Sequence, residues 1–482
     1  MSNDLQAKAL VERLVDTGDE FDLMSAARAL AALGPEARAA TPELLAILKE
    51  DGGARGAAAA FVLSEIGERT LEYAPNLLDT LIEKLYHENG EIRHWITVAI
   101  ARMGSLASSA VPHLVDSLED PDEGVRLVSA HALGELGEAA HDALLPLIRA
   151  LNDSSDGVRL AAACALPKVD PAGRACVEAL VRALVDASPS VRCYAAEAIG
   201  VLGDLGAPAV PRLIQCLSDP DTEVRFKAAN SLGKTADRSE GVLRGLAMLL
   251  QDKDANVRCE AANALQKLRA SAAVAPQLIA AVSDNDEMVR YHVVEALEAV
   301  SPSCPELTPA ITVALSHCLR DASPLVQSRA VTALGSMSSH SPDVEDTLLK
   351  SLLGNDLEVR ISAITVLAKR HGRSDEVRRA LEACIADRHP KIRITAACAL
   401  IKAGQPESQL LHIIARELDH ADGATQIVAI KALSEIANKA EAAIPSLELK
   451  LETPNAIIRS LARDAIERIQ EESQKESRQP SV

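Results

Sequence analysis

Apolar positions along this chain recur with two nested periods. The short one is helical. If a recurring arginine is taken as position zero, the residues at minus one, three, seven and ten are mostly apolar and fall on one stripe of a helix. The long period is about 33 residues. A β-branched aliphatic residue followed by arginine returns at Arg93, Arg126, Arg159, Arg192, Arg225, Arg258, Arg290, Arg360, Arg393 and Arg459, and Gln327 and Gln426 fill the two missing places. Successive steps are 33 residues, except 32 before position 290 and 37 after it. A period in this range marks stacked supersecondary units.

Position seven is Leu or Ile in every copy, from Ile100 and Leu133 to Ile466, and positions three, four and six are mostly Ala. Alanine costs least in helix propensity, and its small side chain lets a neighbouring helix come close. Glycine at eight or eleven, as in Gly134, Gly137, Gly200 and Gly203, is expected to end the helix in a left-handed conformation. A second apolar segment precedes each arginine, Val111 to Leu118 for example. It often carries a proline fourteen places before zero (Pro42, Pro112, Pro211, Pro276, Pro445), where a first helical turn tolerates one. Polar turn and N-cap residues such as Asp120-Pro121-Asp122 separate the two segments.

Each unit therefore reads as helix, tight turn, helix. Weaker copies ending at Gly34 and Gly67 bring the count to about fourteen over residues 4–470. No strand-like alternation competes, so the predicted fold is all-α: an α-solenoid, one continuous array over 1–470, with a polar tail over 471–482 that is expected to fray. Irregular steps near Thr70–Tyr73 and in the Pro-rich stretch Ser301–Pro309 are expected to bend the stack.

The runs of Asp-Pro-Asp-x-x-Val-Arg-x-x-Ala-Ala-x-Ala-Leu-Gly type, Asp219 to Gly233 among them, resemble HEAT repeats, and most closely the short bacterial variety called phycobilisome-lyase-like. The resemblance covers nearly the whole chain. It implies a ladder of ion pairs between adjacent repeats, formed by the arginines and by the aspartates six places before zero: Asp120, Asp153, Asp186, Asp219, Asp252, Asp284, Asp321 and Asp387. It also implies that second helices line a concave face. The arginines are thus expected to be structural and not a phosphate-binding row.

Charge and composition narrow the function. A net charge of −19 disfavours nucleic acid and anionic membranes, which need clustered cations. The nine cysteines form no Cys-x-x-Cys pair and read as small apolar residues, reduced in a cytoplasmic setting. No 18-residue apolar run predicts a membrane span. No nucleophile elbow, phosphate loop or dinucleotide fingerprint is present, and no His pair has zinc spacing. HEAT-like hydroxylases hold iron through repeated His-Glu pairs. The only such pair here, His87-Glu88, falls in a predicted turn. His131 and His292 lie on second helices as isolated residues. No cofactor or metal is expected.

Partner-binding candidates come from offsets one, two, five and nine of the second helices. Four of the chain's eight aromatics sit at one or two: Trp95, Tyr194, Phe226 and Tyr291. Aromatics are common interface anchors. Position five carries Asn230 and Asn263, a short version of the asparagine ladder by which armadillo repeats hold an extended peptide. Position nine carries a row of cations, Lys168, Lys234, Lys267, Lys369 and Lys402. The sequence thus points to a cytoplasmic, non-enzymatic scaffold that binds a protein or peptide, with its main surface between Trp95 and Tyr291. The alternative implied by the repeat type is an accessory or lyase-type subunit acting on a chromoprotein or other modified protein.

Overall fold

Helices alternate with short turns throughout the computed structural model, which describes residues 3–17, 19–50, 53–66, 76–173, 175–303, 305–337, 342–371 and 374–478. No strand occurs among them. The chain forms two compact units, Met1–Leu249 and Leu250–Val482. The irregular step expected near Thr70–Tyr73 lies outside the described residues.

One repeat illustrates how the local sequence builds the structure. A short first helix, Val111–Ser117, opens with Pro112 in its first turn, where no backbone N–H is lost from the helix. Asp122 caps the second helix, Glu123–Leu136, by accepting the Val125 N–H at 3.1 Å. Asp221, Asp254, Asp286 and Asp422 cap later second helices in the same way. Fully buried Val125, Ala130 and Leu133 lie on one face of Glu123–Leu136, as the apolar stripe requires. A link the sequence did not suggest follows the second helix in several repeats. Residues Gly104–Ala110, Gly137–Ala143 and Gly203–Ala209 form seven-residue stretches of 3₁₀ helix leading into the next first helix. At the longer step the link is two short 3₁₀ turns, Ser301–Ser303 and Pro305–Leu307.

Within each unit the second helices of consecutive repeats pack along their length, whereas consecutive first helices touch only slightly. The second helices are therefore the closely spaced, inner layer of each stack. Here the glycine expectation needs correcting. Gly104, Gly137 and Gly203, at position eleven, do adopt φ of +53°, +58° and +55° and stop the helix. Gly134 and Gly200, at position eight, lie inside their helices, Glu123–Leu136 and Pro189–Val201. Their role is close approach: a Cβ on Gly134 would stand 2.9 Å from Ala165 Cβ and 3.0 Å from Ala165 Cα on the next inner helix. Gly134→Ala should therefore destabilise the protein by about 1–2 kcal/mol in urea unfolding, because overpacking outweighs the gain in helix propensity. A variant more stable than wild type would refute the close-approach role.

The last helix, Ala456–Arg478, also departs from expectation by running past residue 470. Its Glu- and Lys-rich end has good helix propensity, and Lys475 pairs with Glu472 at 2.7 Å one turn away.

Candidate functional site

The arginine ladder is the most regular polar feature, and its geometry assigns it to structure. In Arg126, Nη1 donates to the carbonyls of Asp120 and Pro121 in its own turn, at 2.8 and 3.2 Å. The other edge of the guanidinium makes a two-pronged bond to Asp153 of the next repeat, at 2.8 and 2.9 Å. Asp153 in turn accepts the Ser155 N–H at 2.8 Å, which shapes its own turn. The same arrangement joins Arg93 to Asp120, Arg159 to Asp186 and Arg192 to Asp219 in the first unit, and Arg258 to Asp284 and Arg290 to Asp321 in the second. Arg360 reaches Asp387. Arg225 is buried and holds its own-turn carbonyls at Asp219 and Pro220.

The exceptions follow the same logic. Gln327 and Gln426 keep only the own-turn half, donating to the carbonyls of Asp321 and His420. The places where their next-repeat aspartates would stand are Gly354 and Thr453. Arg393 meets His420 where an aspartate would be and turns to Glu417 instead, which is buried. Where no aspartate stands opposite, the arginine is absent too or meets another acid, which avoids the cost of a buried charge without its partner.

The partner-binding candidates are on the inner layers, but several already have protein partners. Trp95 packs edge-to-face on Phe61 of the preceding inner helix, ring centroids 4.8 Å apart, and on His94. It fills space between repeats and is only half-buried. Tyr194 is open, 40% exposed. Phe226 and Tyr291 are half-buried. Burial, then the Glu295 carboxylate, pushes the Tyr291 hydroxyl up from its ordinary value. His292 is half-buried and has a partner on its own helix. It lies 3.0 Å from Glu295, which Arg329 of the next inner helix also holds at 3.2 Å. His131 is exposed.

The Asn263 amide donates to the Glu260 carboxylate of its own helix at 3.2 Å and is therefore engaged without any peptide. Asn230 is half-buried in the first unit, Asn263 in the second. The cations at position nine are partly neutralised as well. Lys168 pairs with Glu135, which fills position nine of the preceding repeat, at 2.7 Å, and Lys402 pairs with Glu435 of the following repeat at 2.6 Å. Lys267 is 4.0 Å from Glu260, and Lys234 is exposed at a helix end.

The His87-Glu88 pair lies in a turn, as its position suggested. Both backbone carbonyls accept Arg93 Nη1, at 2.8 and 2.9 Å. The cysteines among the described residues have little thiolate character. Burial, with lesser contributions from nearby carboxylates, pushes the Cys176 and Cys318 thiols up to about 11.

A feature that sequence reasoning did not find lies on the inner layer of the second unit. Helices Leu357–His371, Pro390–Lys402 and Gly423–Glu435 form a groove of about 590 Å³. Ile361, Ile394 and Val428 supply apolar lining, and Lys369, Lys402 and Lys431 stand at its edge. Position nine had drawn attention to the first two lysines. Lys431, at position five, carried no signal of its own.

Comparison with known families decides the kinship. The model describing HEAT repeats matches residues 74–169, 177–254, 243–314 and 308–402. The chain belongs to the HEAT-repeat family. No curated protein sequence matches it. Among solved structures, this HEAT-repeat chain is similar to importin beta crystallised from ammonium sulfate, with 14% identity and a TM-score of 0.69, over 100% of this chain and 77% of that one. Yeast importin-beta (Kap95p) gives 15% identity and 0.60, over 98% and 72%. Kap121p bound to Ste12p gives 13% identity and 0.56, over 98% and 57%. At such identities the likeness is one of fold.

Proposed function

We propose that this HEAT-repeat protein is a binding scaffold that holds a protein or peptide on the inner helices of its units. The observation that carries the reading is the inner layer itself. Second helices stand close together on a framework of buried ion pairs, and side chains such as Tyr194 project from it into solvent. A preformed surface of this kind loses little conformational entropy on binding. Protein-bound relatives of the same fold, a Kap95–Nup1 complex and Kap121p with Ste12p, agree with it. Among the described residues no helix is long and apolar enough to cross a membrane; the cytoplasmic location belongs to the same proposal and rests on the sequence reading of nine cysteines without a Cys-x-x-Cys pair.

The lyase-type alternative rests on the repeat motif that resembles phycobilisome-lyase-like repeats.

Affinity capture from the native cell, followed by binding assays with the protein recovered, tests the scaffold reading. Tyr194→Ala should weaken binding at least tenfold with unchanged unfolding behaviour, as expected for a partly exposed aromatic anchor. Trp95→Ala should lower stability, because it removes the packing on Phe61. If Tyr194→Ala and Tyr291→Ala both bind as wild type does, the partner does not use these anchors and the reading fails.

A further inference from the structure

We infer that the groove formed by Leu357–His371, Pro390–Lys402 and Gly423–Glu435 is a seat for an acidic, aliphatic peptide segment. This deepens the scaffold reading and rests on it, but uses none of the anchors proposed in the first unit. The groove combines two features. Its lining is aliphatic, with fully buried Ile394 beside half-buried Ile361 and Val428. Its edge is cationic. Lys369, Lys402 and Lys431 are all exposed. The lining contains one carboxylate, Glu435, and Lys402 already holds it at 2.6 Å. Lys369 and Lys431 have no carboxylate partner among the described residues. Two ammonium groups beside open apolar surface, in a protein with a net charge of −19, are complementary to a ligand carrying carboxylates and aliphatic side chains together.

Dimensions favour a peptide over a compact anion. Lys369 and Lys431 belong to inner helices two repeats apart. With helices packing at about 8–10 Å, the span is roughly 16–20 Å. An extended chain covers that in about five or six residues at about 3.3 Å each. Aliphatic side chains would enter between the helices, with carboxylates reaching Lys369 at one end and Lys431 at the other. Thr365 and Thr395, also in the lining, donate their hydroxyls to the Ile361 and Lys391 carbonyls of their own helices, which leaves their oxygens as acceptors for peptide N–H groups.

The test uses the full-length protein and an array of labelled hexa- to decapeptides that alternate Leu or Ile with Asp or Glu, alongside the same peptides with Lys for every acid. Fluorescence anisotropy should show acidic peptides binding at least tenfold tighter than their basic counterparts, with affinity falling as salt rises. The double variant Lys369→Glu, Lys431→Glu should lose at least tenfold, and Val428→Asp, which spoils the apolar lining, should lose binding as well. Circular dichroism of both variants should match wild type. Tyr194→Ala should bind these peptides normally, so failure here and failure of the first-unit anchors are told apart. The inference is overturned if acidic peptides bind no better than basic ones, if the double variant binds as wild type does, or if decanoate alone occupies the groove while no acidic peptide does.

Discussion

Replacing Arg159 with alanine should destabilise the protein by about 3 kcal/mol, far more than removing any of its exposed cations. Arg159 and Asp186 hold each other through two contacts of 2.8 Å. Their side chains are only 15% and 13% exposed. Truncation leaves the Asp186 carboxylate in a poorly solvated place without its counter-charge, and it also frees the Asp153 carbonyl that Arg159 Nη1 holds at 2.9 Å. Breaking a buried pair on one side costs about 3–5 kcal/mol, and the residual exposure here puts the expected loss at the lower end. Lys168, whose pair with Glu135 is about half exposed on both sides, provides the contrast. Lys168→Ala should cost at most about 1 kcal/mol.

The chain also suggests a rescue. At Gln327 it manages without arginine because no aspartate stands opposite. Arg159→Gln should keep the bond to the Asp153 carbonyl but leave Asp186 stranded. Adding Asp186→Asn removes the charge while keeping an acceptor for the Ser188 N–H, so the double variant should be more stable than Arg159→Gln alone. Urea unfolding of the four variants decides it. An Arg159→Ala protein no less stable than Lys168→Ala would mean that the ladder contributes nothing.

Acid should unfold the protein steeply, starting near pH 4. The Asp153 and Asp186 carboxyls are held below the ordinary carboxylate range by hydrogen bonds from Arg126 and Arg159, partly opposed by burial and assisted by the Ser155 and Ser188 amides. Asp219, Asp284, Asp321 and Asp387 are lowered too, with burial opposing the arginine bonds. The sign follows from proton uptake. A carboxyl whose folded pKa lies below its unfolded value, about 3.9, binds fewer protons when folded. Its contribution is present in full above that unfolded value. It disappears as the pH falls through 3.9 towards the lower folded values. Because the same pair recurs from repeat to repeat, the losses accumulate and the transition should be sharp. Helical circular dichroism should stay flat from pH 8 to pH 5 and collapse below pH 4. Arg159→Ala should broaden the collapse, since Asp186 would no longer be held low. A protein that keeps its helices unchanged down to pH 2 would contradict this account.

Much of the fold was legible in the sequence, because a repeat protein is specified by short-range rules. Each repeat meets its neighbours, so a 33-residue period carries the helices, the turns and the interface between repeats together. Arg126 and Asp153 are 27 residues apart and pair as the HEAT resemblance implied. Even the substitution of Gln327 can be read beside Gly354. The Asp-Pro-Asp turns held both a cap and a ladder aspartate, and each took its place. Side-chain identity and backbone propensity suffice for these features, since their geometry is local and repeated.

The tertiary structure alone decided matters that depend on which side chains from different repeats come face to face. Gly134 and Gly137 looked alike in the sequence, yet one admits Ala165 of the next helix and the other turns the backbone to positive φ. The cations at position nine read as a row, but Glu135 and Glu435 at the same position in adjacent repeats neutralise Lys168 and Lys402. Trp95 stands out in the sequence by its offset alone, and only the packing sets Phe61 of the preceding inner helix against its ring. The groove carried no motif, because Lys369 and Lys431 occupy different offsets on helices two repeats apart. Only the packing of three inner helices brings them to the same apolar opening. A sequence period fixes the neighbours of a position, but whether a surface is filled or left open depends on the sizes and charges of side chains that stacking brings together.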